Sequence, residues 1–239
     1  MQNLNYGVIG NCSTAALISE KGAIEWLCFP EFDSPSVFAA ILDRQKGGHF
    51  GFKVTSDYKV TQSYVPHTNI LSTHFESEEG AFDVVDFMPC YPTSDGKDFY
   101  RPAEIYRYIR WAKGRPRMKV DYRPAPNYAR GKTIYNVTSQ YVETYSSAKN
   151  KDRQYLYSSL DLKKVVNHDE ITLEKDEFFL FSFNEKVIPV DIEREKLEYC
   201  RTLVYWLNWT DHAKRYTRYN EVIERSMLVL KLMTYRNGA

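Results

Sequence analysis

The chain has 239 residues, 43% hydrophobic, 15% aromatic and 26% charged, with a formal net charge of +1. That size and apolar content suffice for one large domain or two small ones, with a packed core that needs no disulfide. The near-neutral balance argues against a globally basic nucleic-acid binder and against an acidic tail. The four cysteines, Cys12, Cys28, Cys90 and Cys200, lie far apart and form no CxxC pair, so a zinc-finger type of site is not expected. The opening MQNLNYGVIGNCS has no basic segment followed by an apolar run, and no stretch approaches the ~20 apolar residues of a membrane span. A cytoplasmic location with no membrane partner is the resulting expectation.

In chain order, Gly22 after Glu20-Lys21 reads as a hairpin turn, because glycine takes positive φ at little cost. Ile24 to Phe29 reads as a strand of aromatic and branched residues, ended by Pro30. Asp33-Ser34-Pro35-Ser36 reads as a turn or helix start, and Val37 to Leu42 as a short helix. Asn69–Phe75 and Phe82–Phe87 flank the polar turn Ser77-Glu78-Glu79-Gly80, a hairpin signal. Met118, Val120 and Tyr122 alternate with Lys119, Asp121 and Arg123, as in a strand with one wet face. Thr133 to Tyr145 and Gln154 to Leu162 continue the strand pattern. Phe178 to Phe183 is apolar on both faces, as in a central strand covered twice. With no parallel βαβ pattern, an antiparallel sandwich over residues 1–192 is predicted.

Near Asp191 the period changes, and residues 193–239 read as helical. Leu197, Cys200, Leu203 or Val204, and Leu207 recur at helical spacing. A second helix is expected from about Arg218, with Thr217 as N-cap and Val222, Ile223, Met227, Leu230 and Met233 as its apolar stripe. Lys231 and Arg236 suit its last turns, and Asn237-Gly238 is a stop signal. Met227 to Met233 is apolar on nearly every side. A helix of that kind needs cover on two sides, so self-association or partner contact is expected through the surface around Leu228 and Leu232.

The segment Tyr6 to Asp43, YGVIGNCSTAALISEKGAIEWLCFPEFDSPSVFAAILD, resembles the opening of bacterial and archaeal glycoside hydrolases of family 15, the trehalase and glucoamylase-like enzymes. Two later segments are similar to the same family: Ala81 to Pro89, AFDVVDFMP, and Glu224-Arg225-Ser226 through Lys231 to Tyr235. The resemblance implies a large supersandwich-like β-domain in front of an (α/α)6 barrel, with both catalytic glutamates beyond a segment such as LVLKLMTYRNGA. On that footing the chain is a non-catalytic N-terminal domain whose partner is a barrel absent here, and residues 193–239 lead toward that barrel. The parent enzyme would hydrolyse α-glucosides such as trehalose, maltooligosaccharides or starch-like glucans with inversion, one glutamic acid protonating the leaving oxygen and one glutamate activating water.

The residues themselves offer no such pair. Asp83 and Asp86 are three apart on a strand and point to opposite faces, and Glu78-Glu79 falls in a turn. No catalytic residue is therefore assigned. Substrate-rim candidates are Trp26, Phe29, Glu31, Asp33 and Ser34, in the stretch that carries the resemblance. Asp33 could equally cap a helix beginning at Ser34 or Pro35. Family members usually carry Arg where this chain has Glu31, which reverses a charge in the PRFDSP motif. The five histidines are scattered, and no GxGxxG, GxxxxGK[ST] or GxSxG occurs, so neither metal nor cofactor is expected. Arg101 to Lys132 holds ten Lys/Arg against two Asp/Glu, interleaved with Tyr and Trp, a pattern that can bind single-stranded nucleic acid. Asp169 to Glu198 holds the opposite excess, ten acids against four bases, and could pair with it. No nucleic-acid partner is expected; the rival readings are a stand-alone carbohydrate-binding module and, behind it, single-stranded nucleic-acid binding.

Overall fold

A computed structural model describes residues 5–55, 57–187 and 190–235. The chain begins with β1 (Tyr6–Gly10), β2 (Ala15–Ser19), β3 (Ile24–Cys28), β4 (Ser36–Phe38) and β5 (His49–Lys53), all in one sheet. It crosses to a second sheet for β6 (Lys59–Tyr64), β7 (Leu71–Ser77) and β8 (Gly80–Phe87), then makes a small ribbon from β9 (Tyr91–Pro92) and β10 (Phe99–Tyr100). β11 (Glu104–Gly114) returns to the second sheet and β12 (Arg117–Arg123) to the first. β13 (Thr133–Val137), β14 (Val142–Ser146) and β15 (Lys149–Ser158) extend the second sheet. A one-and-a-half-turn helix α1 (Leu162–Asn167), β16 (Glu170–Thr172) and β17 (Glu177–Phe183) lead to the helices α2 (Ile192–Asp211) and α3 (Asn220–Met233).

The sheets have seven and eight strands, ordered β1-β2-β3-β5-β12-β16, with β4 on β3, and β13-β14-β15-β17-β11-β8-β7-β6. Neighbours pair antiparallel. The fold is therefore the expected antiparallel sandwich followed by helices. One core lies between the sheets and a second between the eight-stranded sheet and the helices. β17 serves both: Phe179 and Phe181 enter the first, Phe178 and Leu180 the second. The β7–β8 hairpin turns at Glu78-Glu79, and Gly22 takes φ +74 in the β2–β3 turn, both as the sequence predicts. In β12, Met118, Val120 and Tyr122 point inward as predicted, but Asp121 on the outer side is buried too, among cations.

Four sequence expectations are corrected. Val37 to Leu42 forms no helix: residues 36–38 are β4, and turns follow. Phe38 packs edge-on to Tyr122 at 6.5 Å inside the sandwich, a place that an extended backbone reaches. Leu162 starts a helix rather than ending a strand, because the Asp161 carboxylate accepts from Lys163 N at 2.9 Å as its cap. α3 begins at Asn220, with Tyr219 in the left-handed region at its N-cap, so Thr217 caps nothing there. The Arg236 and Asn237-Gly238 readings lie outside the described residues.

The fourth correction concerns faces. Leu228 and Leu232, expected on the outside, are turned into the sandwich and are 2% and 0% exposed. A Cβ on Gly10 would stand 2.8 Å from Leu232, so the bare strand β1 is what lets α3 seat so close. Arg225 donates to Thr68 O at 2.8 Å and Asn69 Nδ2 to Leu228 O at 3.0 Å, which fixes the rotation of α3. The apolar residues left outside are Val222, Leu230 and Met233. α2 is turned likewise: Glu195, Glu198, Thr202, Trp206 and Thr210 are buried, while Leu197, Cys200, Val204 and Leu207 are exposed.

Candidate functional site

The rim candidates do not form one surface. Phe29 is 1% exposed and stacks on Phe181 at 5.8 Å, so it belongs to the core. Trp26 is half-buried on β3 opposite Leu17, away from the bend that follows. Glu31, Asp33 and Ser34 do share a turn after the cis Phe29–Pro30 bond. Ser34 N donates to Glu31 O, and Glu31 N to Ser34 Oγ, both at 3.1 Å. Asp33 projects into solvent from this turn and caps no helix, since none starts there.

The turn is held against two other segments. Phe32 N donates to Ser13 O at 3.0 Å, and the Phe32 ring meets Tyr235 edge-on at 6.0 Å. The β1–β2 turn is organised by Asn11, whose Oδ1 accepts from Ser13 N and Thr14 N and whose Nδ2 donates to Pro102 O. Cys12 donates from Sγ to Lys231 O at 3.4 Å, tying this turn to the end of α3. The bend carrying Glu31, Asp33 and Ser34 is thus presented at the same corner as the last turn of α3.

A larger feature lies along α2. Between that helix and the β9–β10 ribbon runs a groove of about 1480 Å3, lined by Tyr91, Phe99, Tyr100, Leu197, Val204 and Trp209 among others. Leu197, Cys200, Val204 and Leu207 are spaced three, four and three apart, the spacing of an apolar seam that packs on another helix. The sequence carried this spacing but did not say which way it faced.

Beneath α2 the chemistry is acidic. Glu198 accepts from the Tyr91 hydroxyl at 2.6 Å and from Arg201 at 3.3 Å. Glu104 accepts from the Tyr106 hydroxyl at 2.9 Å. Burial, and then the nearby carboxylates Glu198 and Glu185, push Glu104 up against the pull of Tyr106 and Arg194. Glu195 is 1% exposed, and neither carboxyl oxygen has a hydrogen-bond partner among the described residues.

The sequence reading also missed a buried ion pair in the sandwich core. Arg107 donates from Nε to Asp86 Oδ1 at 2.7 Å and from Nη2 to Oδ2 at 3.2 Å. The same guanidinium donates to Phe50 O at 2.6 Å and to Gly22 O, and lies 4.7 Å from the ring centres of Phe50 and Phe52. It therefore bridges the two sheets. Burial pushes the Asp86 carboxyl up, and Arg107 opposes it. Asp83 faces the other way, with His74 at 2.7 Å and Arg110 at 2.8 Å, so the two aspartates are on opposite faces as predicted.

The basic stretch is matched by carboxylates on its own strand, on neighbouring strands and in adjoining turns: Lys113 with Glu76, Arg115 with Glu174, Arg117 with Glu79 and Glu170, and Arg123 with Asp121. Part of the acidic segment does pair with it, through Glu170 and Glu174. Among the described residues no group of three or more His, Cys, Asp or Glu is placed to hold a metal ion. Among them, too, no helix is long and apolar enough to cross a membrane.

Comparison with known proteins gives a consistent likeness. The family described as "Trehalase-like, N-terminal" matches residues 5–150. The chain is 29% identical over 228 residues to a trehalase of Thermoplasma acidophilum, covering 92% of this chain and 38% of that protein. It is 26% identical over 261 residues to a trehalase of Mycolicibacterium smegmatis, covering 97% and 38%. Over 85 residues, 35% of this chain and 14% of the relative, it is 51% identical to trehalase 1 of Sulfolobus acidocaldarius. The chain spans about 38% of the length of the first two relatives.

Proposed function

Since the chain belongs to the trehalase-like N-terminal family, we propose that it is the non-catalytic front domain of a glycoside hydrolase acting on α-glucosides, with trehalose the leading substrate. The observation that carries this reading is the likeness to trehalases over nearly the whole chain. Maltooligosaccharides and starch-like glucans are the further substrates to test. The parent reaction proceeds with inversion, one carboxylic acid protonating the leaving oxygen and one carboxylate activating water. Both groups reside in a helical barrel outside these residues. The buried position of Glu104 and Glu195 supports this, and Glu198, at the wall of the groove, is committed to Tyr91 and Arg201. The groove along α2 receives helices of that barrel through the outer seam, and the Glu31–Ser34 bend stands at the rim of the cleft.

Residues 1–239 alone are therefore expected to release no glucose from trehalose, maltose or soluble starch. Glucose release that is abolished by a substitution within this chain would overturn the reading. Carbohydrate binding by the domain itself is a second reading, favoured by the aromatic rings of Tyr91, Phe99, Tyr100 and Trp209 in the groove. Titration with trehalose and maltooligosaccharides, followed by tryptophan fluorescence, separates the two: saturable quenching lost in Trp209→Ala supports the second.

A further inference from the structure

We infer that α2 is held to the sandwich by an acid latch: Glu195 packs against the eight-stranded sheet as a neutral carboxylic acid, and its ionisation releases the helix. The geometry carries the argument. Glu195 sits in the first turn of α2, on the face that also buries Glu198, Thr202 and Trp206. Both of its oxygens are shut off from water and from any hydrogen-bond donor among the described residues. An unpaired carboxylate in such a place is far more costly than the neutral acid.

The groups that face it make the charged form worse. Glu104 approaches from β11 and Glu198 follows on α2 itself, while Asp86 lies on the far side of β8, paired with Arg107, and acts only through the sheet. Tyr108 on β11 also faces Glu195, and its hydroxyl is committed to Asp176. Arg194 is the opposing cation, but its Nε is turned to the Tyr106 hydroxyl at 3.4 Å. Burial first, then Asp86, Glu104 and Glu198, push the Glu195 carboxyl well above the usual range, and Arg194 only partly counters them.

The sign follows. An acid raised in the folded state contributes its full stability below the unfolded value of about 4.3, and that contribution is lost as pH rises toward the folded value. Across that window the balance between seated and released α2 shifts about tenfold per pH unit, with one proton passing to solvent on release. Because α2 carries the exposed seam on its far side, acidity also governs how firmly that seam is presented.

The test is hydrogen exchange of peptides covering Ile192–Asp211 in the 239-residue chain, corrected for intrinsic exchange, from about pH 4.5 to about pH 8. Wild-type protection is expected to fall as pH rises, while Glu195→Gln, which cannot ionise at that position, falls distinctly less, with only Glu104 left to titrate. An unchanged slope in Glu195→Gln overturns the latch. If that variant does not fold, carbon NMR of the Glu195 carboxyl in the wild type decides. A carboxyl already ionised at about pH 5 overturns the inference, and one still protonated there supports it.

Discussion

Arg107 and Asp86 show how much one pair of residues decides in this sandwich. The guanidinium satisfies a carboxylate on its own sheet and two backbone carbonyls on the other, between two phenylalanine rings. Removing one partner leaves an uncompensated buried charge, which typically costs about 3–5 kcal/mol. Asp86→Ala and Arg107→Ala are each expected to destabilise on that scale in urea unfolding, whereas Arg107→Met with Asp86→Leu should recover most of the loss. A cost below about 1 kcal/mol for Asp86→Ala would show that the pair is not what joins the sheets. The sequence made the opposite orientation of Asp83 and Asp86 legible, because strand parity alone requires it. It could not show Arg107, since a lone arginine in a basic stretch looks like any solvated charge until the facing sheet is in place.

Among the elements, β17 and the β7–β8 hairpin were legible because their signals are local: two apolar faces, and a polar turn between alternating runs. α2 was legible as a helix but not in its rotation. Periodicity locates an apolar stripe without saying what it faces, and here the sheet offers Glu104 and the hydroxyls of Tyr106 and Tyr157, which suit a partly polar helix face. On the inner side of α2 one large group, Trp206, is fully buried, with Tyr199 and Leu203 packed partly beside it. Trp206→Ala is expected to cost about 3–5 kcal/mol, while Val204→Glu, on the exposed seam, should change stability by no more than about 0.5 kcal/mol. Val204→Glu with Leu197→Glu should act instead on association. The wild-type chain is expected to self-associate through the seam as concentration rises, and the double variant to remain monomeric in ultracentrifugation. A wild type that stays monomeric at high concentration would show that the seam needs a different occupant.

At the scale of the whole molecule, stability should pass through a maximum in mild acid, because two sets of carboxyls pull in opposite directions. Glu195 and Glu104 are raised, and their contribution fades as pH climbs above the unfolded glutamate value of about 4.3. Asp121 works on the other side. Burial pushes its carboxyl up, but Lys53 at 2.7 Å, His49 at 2.8 Å and Arg123 at 2.7 Å outweigh that and hold it well below the usual range. A depressed acid stabilises above its unfolded value of about 3.9 and loses that contribution as pH falls below it. The solvent-facing Asp43, Glu76, Glu79 and Asp95 are lowered in the same direction, but water and salt screen them. Asp121, buried among cations that are themselves half in solvent, should dominate the acid limb and respond only partly to salt. Thermal unfolding followed from about pH 2.5 to about pH 8 should therefore give a dome. Asp121→Asn should flatten its acid limb and leave the alkaline limb unchanged, and Glu195→Gln should make the alkaline limb shallower, Glu104 remaining, and leave the acid limb unchanged. If Asp121→Asn left the acid limb as steep as in the wild type, the cation cluster on the outer face of the seven-stranded sheet would not be the source of acid sensitivity.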